Sequence, residues 1–367
     1  MIPIYKPFLN KYKKSAIKCI EDEWISNHGI YIDLASNKLS EILNIKYCIL
    51  MNNGTAATQC LFKAIKFKYP NIKKIYIPNN VFVAPWNCGL MEFPNEIFEV
   101  MKMNNDTLNI DTSDEYLMSL DKNACIVIVH NLGNIINVPK IQRLRSDLII
   151  IEDNCEGLFG KYENYFSGSK SLCSSISFYG NKTITTGEGG AFLTNDFDIY
   201  KFIKNIYSHG MSNLRYIHDN LGYNFRMTNI EAGFLFDQLN DYELILNMKK
   251  NIFKNYDILF DDLFKENKIY KFKSEKDIEI SYWMYNIVIP SINYNDIEKF
   301  LEYKNIQIRP LFYDIHCHKH LKNIKNQFEN KFCETISNFG LMLPSYPELT
   351  FEQQQFIFLS IKEFITK

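Results

Sequence analysis

Apolar residues in the first two-thirds of the chain gather in short unbroken runs, separated by stretches with helical spacing. The runs are Tyr47–Met51 ("YCILM"), Lys74–Ile77, Cys125–His130, Leu148–Glu152, Ser175–Phe178 and Gly190–Thr194. Short runs without strict alternation are what strands covered on both faces look like. Between them, apolar residues recur every three or four positions at Leu34–Leu43, Thr55–Phe67, Asp198–Tyr207 and Asn229–Leu246, which predicts helices. That order predicts an α/β domain with a mostly parallel sheet flanked by helices. After about residue 244 the rhythm changes. A helix to about Phe264, strands near Met284–Ile289 and Ile306–Ile308, and helices at Tyr294–Tyr303 and Thr350–Phe364 predict a smaller α+β domain. The expected division is a large domain of 1–244 and a small one of 245–367.

Composition narrows the partners. The 367 residues are 46% apolar and 23% charged, ordinary proportions for a soluble globular protein of two or three domains. A formal charge of -1 provides no basic field, so neither nucleic acid nor an acidic membrane is expected as the main partner. No apolar run approaches the ~20 residues of a membrane span. The opening "MIPIYKPFLNKYKK" lacks a charged-then-apolar leader pattern. Nine cysteines lie scattered without a CxxC pair, several inside apolar runs. Buried reduced thiols in a cytoplasmic protein are the expectation.

In open α/β sheets, ligands sit beyond the carboxyl ends of the strands. The residues there form a coherent set. "NNGTAAT" follows the first run; Gly54 allows close backbone approach, and Thr55 opens a helix whose free N–H groups can hold an anion. "IPNNVFVAPWN" follows the second, with Phe82 and Trp86 available to stack on a flat ligand. The run "IIIED" ends on Asp153, a carboxylate that needs a cation or a protonated nitrogen if it is buried. "SFYGNKTITTGEGGAF" then places Ser177 and Lys182 before a glycine reversal. An amine desolvated against apolar sheet ends is favoured in its neutral form, a nucleophile for carbonyl compounds. Pyridoxal 5′-phosphate needs these parts: a lysine for its aldehyde, an acid for its ring nitrogen, an aromatic face and a phosphate cup.

The chain resembles the PLP-dependent nucleotide-sugar aminotransferases, the fold-type I group that includes perosamine and viosamine synthases. The motifs run from "IPIYKPFL" to "LPSYPELTFEQQ", with "SFYGNKTITTGEGGAF" and "LGYNFRMTNIEAG" the most specific. The resemblance implies Lys182 as Schiff-base lysine and acid/base, Asp153 as partner of the pyridinium, and Phe82 as the stacking ring. It implies that Gly54, Thr55, Ala56 and Ser177 hold the phosphate, with Asn224 reaching the phosphate of a neighbouring subunit. A homodimer with shared active sites follows. Arg226, Arg309 and His316 are implied as substrate contacts. The implied reaction moves an amino group from glutamate to a 4-keto-6-deoxy nucleotide sugar, giving a 4-amino product. C3 amination, a sugar 3-dehydratase and a non-catalytic sensor are the alternatives; dehydratases of the group replace the lysine with histidine. The nucleotide, UDP, GDP or dTDP, stays open.

Three positions, in two places, depart from the family. Glu156 stands where Gln or His is usual, near the cofactor's phenolic oxygen, and a carboxylate there must be protonated or turned away. Val81 and Pro85 replace threonines on either side of Phe82. "HCHKH", His316 to His320, has the alternation of a metal site but no complementary ligand cluster, so no metal is expected. Asp261 and Asp262 are expected on the solvated surface.

Overall fold

In the computed structural model, which describes residues 1–328 and 330–366, seven strands form one sheet. They are β1 (Tyr47–Met51), β2 (Ile75–Ile77), β3 (Phe98–Val100), β4 (Cys125–Val129), β5 (Ile149–Asp153), β6 (Cys173–Ser177) and β7 (Gly190–Thr194). Their order across the sheet is β1-β7-β6-β5-β4-β2-β3. Strands β6, β5, β4, β2 and β3 pair in parallel, while β7 runs antiparallel between β1 and β6.

Both faces of the sheet are covered, as the unbroken apolar runs require. Successive side chains of a strand point to opposite faces. Strand β1 sends Ile49 and Met51 into a core with helices α3 (Gly54–Lys68), α4 (Ala84–Glu92) and α5 (Phe197–Ile206). Its Cys48 and Leu50 enter the opposite core, built with α2 (Ile30–Leu43) and α6 (Asn229–Asn240). Every residue of β4, β6 and β7 is buried.

The C-terminal region has its own sheet, β8 (Tyr285–Val288), β9 (Arg309–Pro310) and β10 (Gly340–Leu343), in the order β8-β10-β9 with antiparallel pairing. Helices α7 (Tyr242–Lys265), α8 (Tyr294–Tyr303) and α9 (Phe351–Ile365) pack on it. The expected boundary at residue 244 falls inside α7. The apolar contacts divide within the same helix: Ile245 packs with the large sheet, Ile252 and later residues with the small one.

Three expectations need correction. The helix expected over Asn229–Leu246 is two helices. Asp241 leaves helical geometry at φ -120° and ψ 20°, ending α6 and starting α7. Aspartate competes with helical hydrogen bonding, but the apolar spacing continues across it and hides the break. The strand expected at Ile306–Ile308 lies instead at Arg309–Pro310, and Ile306 makes a single bridge to Ile2. Strand β3 was not expected, because Glu99 interrupts its three residues; at the sheet edge that carboxylate is paired with Lys74 at 2.9 Å and Lys325 at 3.3 Å.

Candidate active site

The strand register draws the chemistry to one edge. Gly190, the first residue of β7, lies opposite both Met51 and Ser177, so the ends of β1 and β6 flank it. Asp153, the last residue of β5, pairs with Val129 and Ser175 on its two neighbours. A cavity of about 860 Å³ opens there. It is lined by Gly54, Thr55, Ala56, Phe82, Asp153, Glu156, Ser177, Lys182 and Arg309, all expected from the sequence. A second hollow of about 780 Å³ lies at the amino ends of the strands, among Asn123, Asp147 and Lys170, and contains none of them.

Asp153 is 5% exposed. Its Oδ1 accepts the Cys155 N–H at 3.1 Å, and among the described residues no cation forms an ion pair with it. Burial pushes its carboxyl above the ordinary value, against the Cys155 hydrogen bonds and the more distant charges of Lys182 and His130. Apart from the Cys155 hydrogen bonds, this buried carboxylate has no cationic partner among the described residues.

Lys182 sits in the turn between β6 and β7, where its own N–H donates to the Tyr179 carbonyl at 2.9 Å. Buried Gln238 of α6 clamps the same turn, donating to Thr185 O at 2.7 Å and accepting Thr185 N–H at 3.1 Å. The closing glycines adopt φ 89° at Gly187 and 149° at Gly189, in the region that disfavours side chains. The half-buried ammonium of Lys182 lies 4.1 Å from the centre of the Trp283 ring. Apolar sheet ends were expected around it. The segment before β8 supplies an indole face instead, which attracts a cation.

The phosphate-type cup is formed where α3 begins. A Cβ on Gly54 would stand 2.6 Å from Cβ of Ser177, so glycine is what lets the helix start close against the end of β6. Asn53 caps the helix, its Oδ1 taking the Ala56 N–H at 2.8 Å. Ala56 therefore already has an acceptor. Gly54 and Thr55, at the helix start, have no intrahelical acceptor and face the cavity. Ser177 Oγ accepts the Tyr179 N–H at 3.3 Å, leaving its O–H proton to donate.

Phe82 is 54% exposed, with an edge contact to Phe312 at 6.3 Å, so its ring has an open side at the cavity. Trp86 is core: 1% exposed, with Nε1 donating to Pro78 O at 2.9 Å. Glu156 is buried, its Oε2 accepting the Leu132 N–H at 2.8 Å. Burial raises its carboxyl to about 7, with Lys182 opposing.

Asn224, Arg226 and His316 do not line the cavity. Asn224 is exposed and its side-chain oxygen accepts Arg226 Nε at 2.9 Å; Arg226 Nη2 also meets His209 Nε2 at 3.1 Å. Backbone contacts hold this loop beside β1: Asn52 N–H donates to Phe225 O at 2.8 Å. His316 is tied by Nδ1 to Asp314 Oδ1 at 3.1 Å, and His318 takes its place at the cavity wall. Burial and the neighbouring His320 depress His318. Among the described residues no group of three or more His, Cys, Asp or Glu side chains is placed to hold a metal ion. None of the described helices is long and apolar enough to cross a membrane.

The family model of the DegT/DnrJ/EryC1/StrS aminotransferases matches residues 9–362. The chain belongs to that family. It is 31% identical over 371 residues to a GDP-perosamine synthase of Escherichia coli O157:H7, covering 99% of this chain and 98% of that protein. It is 28% identical over 375 residues to a GDP-perosamine synthase of Vibrio cholerae, covering 99% of each. Among solved structures, the Helicobacter pylori aminotransferase PseC superposes with a TM-score of 0.87 at 23% identity, over 99% of this chain and 98% of that one, which shows the shared fold. The protein is an aminotransferase, and pyridoxal 5′-phosphate is the cofactor of its class. The site fits that cofactor on two independent observations: the buried Asp153 that lacks a cation, and the Gly54–Ser177 approach that opens a helix N-terminus to the cavity.

Proposed function

We propose that this aminotransferase transfers the amino group of glutamate to the C4 carbonyl of a GDP-linked 4-keto-6-deoxy sugar, giving a 4-amino-4,6-dideoxy product. The observation that carries the reading is the single cavity that unites Lys182, Asp153 and the α3 N-terminus. The full-length likeness to two GDP-perosamine synthases supports GDP and C4 over the alternatives. A lysine at 182, where the group's dehydratases carry histidine, supports transfer over deoxygenation.

When bound, pyridoxal phosphate supplies a carbonyl that captures amines and a protonated ring that accepts electrons from the reacting carbon. Asp153 would hold the proton on the ring nitrogen, and that positive charge would in turn satisfy the buried carboxylate. The Gly54 and Thr55 N–H groups and the Ser177 hydroxyl bind the phosphate, with the positive end of the α3 dipole behind them. Phe82 covers one ring face. Lys182 would hold the aldehyde group through Nζ and, as a free amine, would accept and return the proton of the reacting bond. Arg309 and His318, which line the cavity, meet the anionic nucleotide. Asn224, exposed beside the end of β1, serves the phosphate of a second subunit in a cytoplasmic homodimer.

Incubating the holoenzyme with glutamate and GDP-, UDP- and dTDP-linked 4-keto-6-deoxy sugars tests the reading. Formation of 2-oxoglutarate and a 4-amino GDP-sugar is expected. A 3-deoxy product, or no 2-oxoglutarate from glutamate alone, overturns it.

A further inference from the structure

Lys249, in α7, is 3% exposed, and burial lowers its amine to about 7. Among the described residues no carboxylate forms an ion pair with it. Its Nζ donates to two backbone carbonyls, Trp283 O at 2.8 Å and Ser345 O. A neutral amine has two N–H donors, so both partners stay satisfied when the charge is lost. Each carbonyl belongs to a different segment of the small domain. Trp283 precedes β8. Ser345 follows β10, and its Oγ accepts Tyr285 N–H at 2.9 Å while donating to Leu343 O at 2.7 Å. Lys249 thus ties α7 to the segments at one end of the β8–β10 pair.

Trp283 is where this anchor meets the active site. Its backbone is held by Lys249. Its indole Nε1 donates to Asn181 O at 3.1 Å, the carbonyl immediately before Lys182. Its ring face lies 4.1 Å from Lys182 Nζ. Asp153, Cys155 and Glu156, all at or after the end of β5, also interact electrostatically with Lys182. Trp283 is the small domain's contact with the amine, and Lys249 fixes the backbone from which that ring projects.

We infer that Lys249 is a positioning residue for Lys182, acting through Trp283. It clamps the Trp283 carbonyl so that the indole face meets the amine and the indole N–H holds the turn carrying it. The inference rests on Lys182 being the reacting amine. It goes beyond that assignment by giving the small domain a part in setting the amine's reactivity.

The test reads the amine directly. The full-length chain, stripped of cofactor, is reductively methylated with formaldehyde and cyanoborohydride at neutral pH. The labelling rate of each lysine is followed by peptide mass spectrometry. Lys249→Met and Trp283→Leu are each expected to speed labelling of Lys182 about threefold or more, because the indole face no longer covers and holds the amine. Surface lysines should keep the parental rate, which separates this effect from loosening of the whole fold. The double variant should match Trp283→Leu alone, because the two residues act in series. Lys249→Arg, which keeps donors for both carbonyls, should restore the parental rate. If Lys249→Met does not fold, Lys249→Leu, which likewise lacks a donor, takes its place with the same readings. Unchanged Lys182 labelling in a folded Lys249 variant, or additive effects in the double variant, would overturn the proposal. The reagent needs neither cofactor nor sugar, so failure of the sugar assignment leaves this result standing.

Discussion

The amine of Lys182 lies 4.1 Å from the centre of the Trp283 ring, although the two residues are remote in sequence and lie beside different sheets. The contact joins the turn after β6 to the segment before β8. It leaves the amine open to the same cavity as Asp153. Four variants and one mixing experiment probe this arrangement.

Replacing Lys182 by alanine removes both the covalent anchor and the proton carrier. Borohydride treatment of the holoenzyme should fix cofactor on the peptide containing Lys182 in the parent and on no peptide in the variant. The rate of 2-oxoglutarate formation from glutamate should fall by at least ~10³-fold, within the range for a lost general acid–base group. Borohydride-stable labelling of another lysine in the parent would refute the assignment.

Asp153→Asn separates stability from function. The carboxylate is buried without a paired cation, so the cofactor-free protein gains when its charge is removed. Its melting temperature should rise by about 1–3 °C. The holoenzyme should lose both cofactor affinity and rate, because an amide does not keep the ring nitrogen protonated. A variant that melts lower in the cofactor-free form would show that Asp153 is satisfied within the protein.

Glu156 gives stability a definite pH slope. In the folded protein its carboxyl keeps its proton up to about 7, whereas its ordinary value is 4.5. Between these values the folded state binds more protons than the unfolded state. Its contribution to stability therefore declines as pH rises through that window, then levels off. Glu156→Gln still accepts the Leu132 N–H and has no proton to lose. Denaturant titrations should find it more stable than the parent at pH 8, by on the order of 1–3 kcal/mol, and equal to it near pH 4.5. Parallel curves for the two proteins would remove Glu156 as the source.

Gly54→Ala puts a methyl group 2.6 Å from Cβ of Ser177. Either α3 or the end of β6 must move, at a cost of about 1–3 kcal/mol for overpacking. Since both elements form the proposed phosphate cup, cofactor affinity should fall by more than the affinity for glutamate. Equilibrium dialysis against pyridoxal phosphate measures the first and the glutamate half-reaction the second.

The proposed sharing of active sites between two subunits predicts complementation. Lys182→Ala and Asn224→Ala chains, each weakly active alone, should regain activity when unfolded and refolded together. A mixed dimer holds one site with both native residues. Activity no greater than the sum of the separate proteins would place Asn224 outside the neighbour's site.

Much of this was legible in the linear order of residues. Runs such as Cys125–Val129 read as strands because strands covered on both faces must be apolar throughout. Asp153 and Lys182 stood out because a charge at the end of such a run needs a purpose. The break at Asp241 was hidden, since apolar spacing continues from α6 into α7. Trp86 and Phe82 looked alike as stacking candidates four residues apart. Packing sent Trp86 into the core and left Phe82 open at the cavity. His318 could not be told from His316, because the 3-10 turns there make the facing of each ring a matter of local geometry.

Local pattern was enough for the strands, the helix start at Gly54 and the identity of the chemical groups, because periodicity and backbone sterics act over a few residues. Which groups meet was settled by the fold. Asp153 and Lys182 face one cavity because β5, β6 and β7 lie side by side in an order no short segment encodes. Trp283 reaches Lys182, and Lys249 reaches Trp283, because α7 packs into the apolar cores of both sheets. Contacts between segments remote in sequence depend on how whole elements pack, and a single chain read end to end carries no local trace of them.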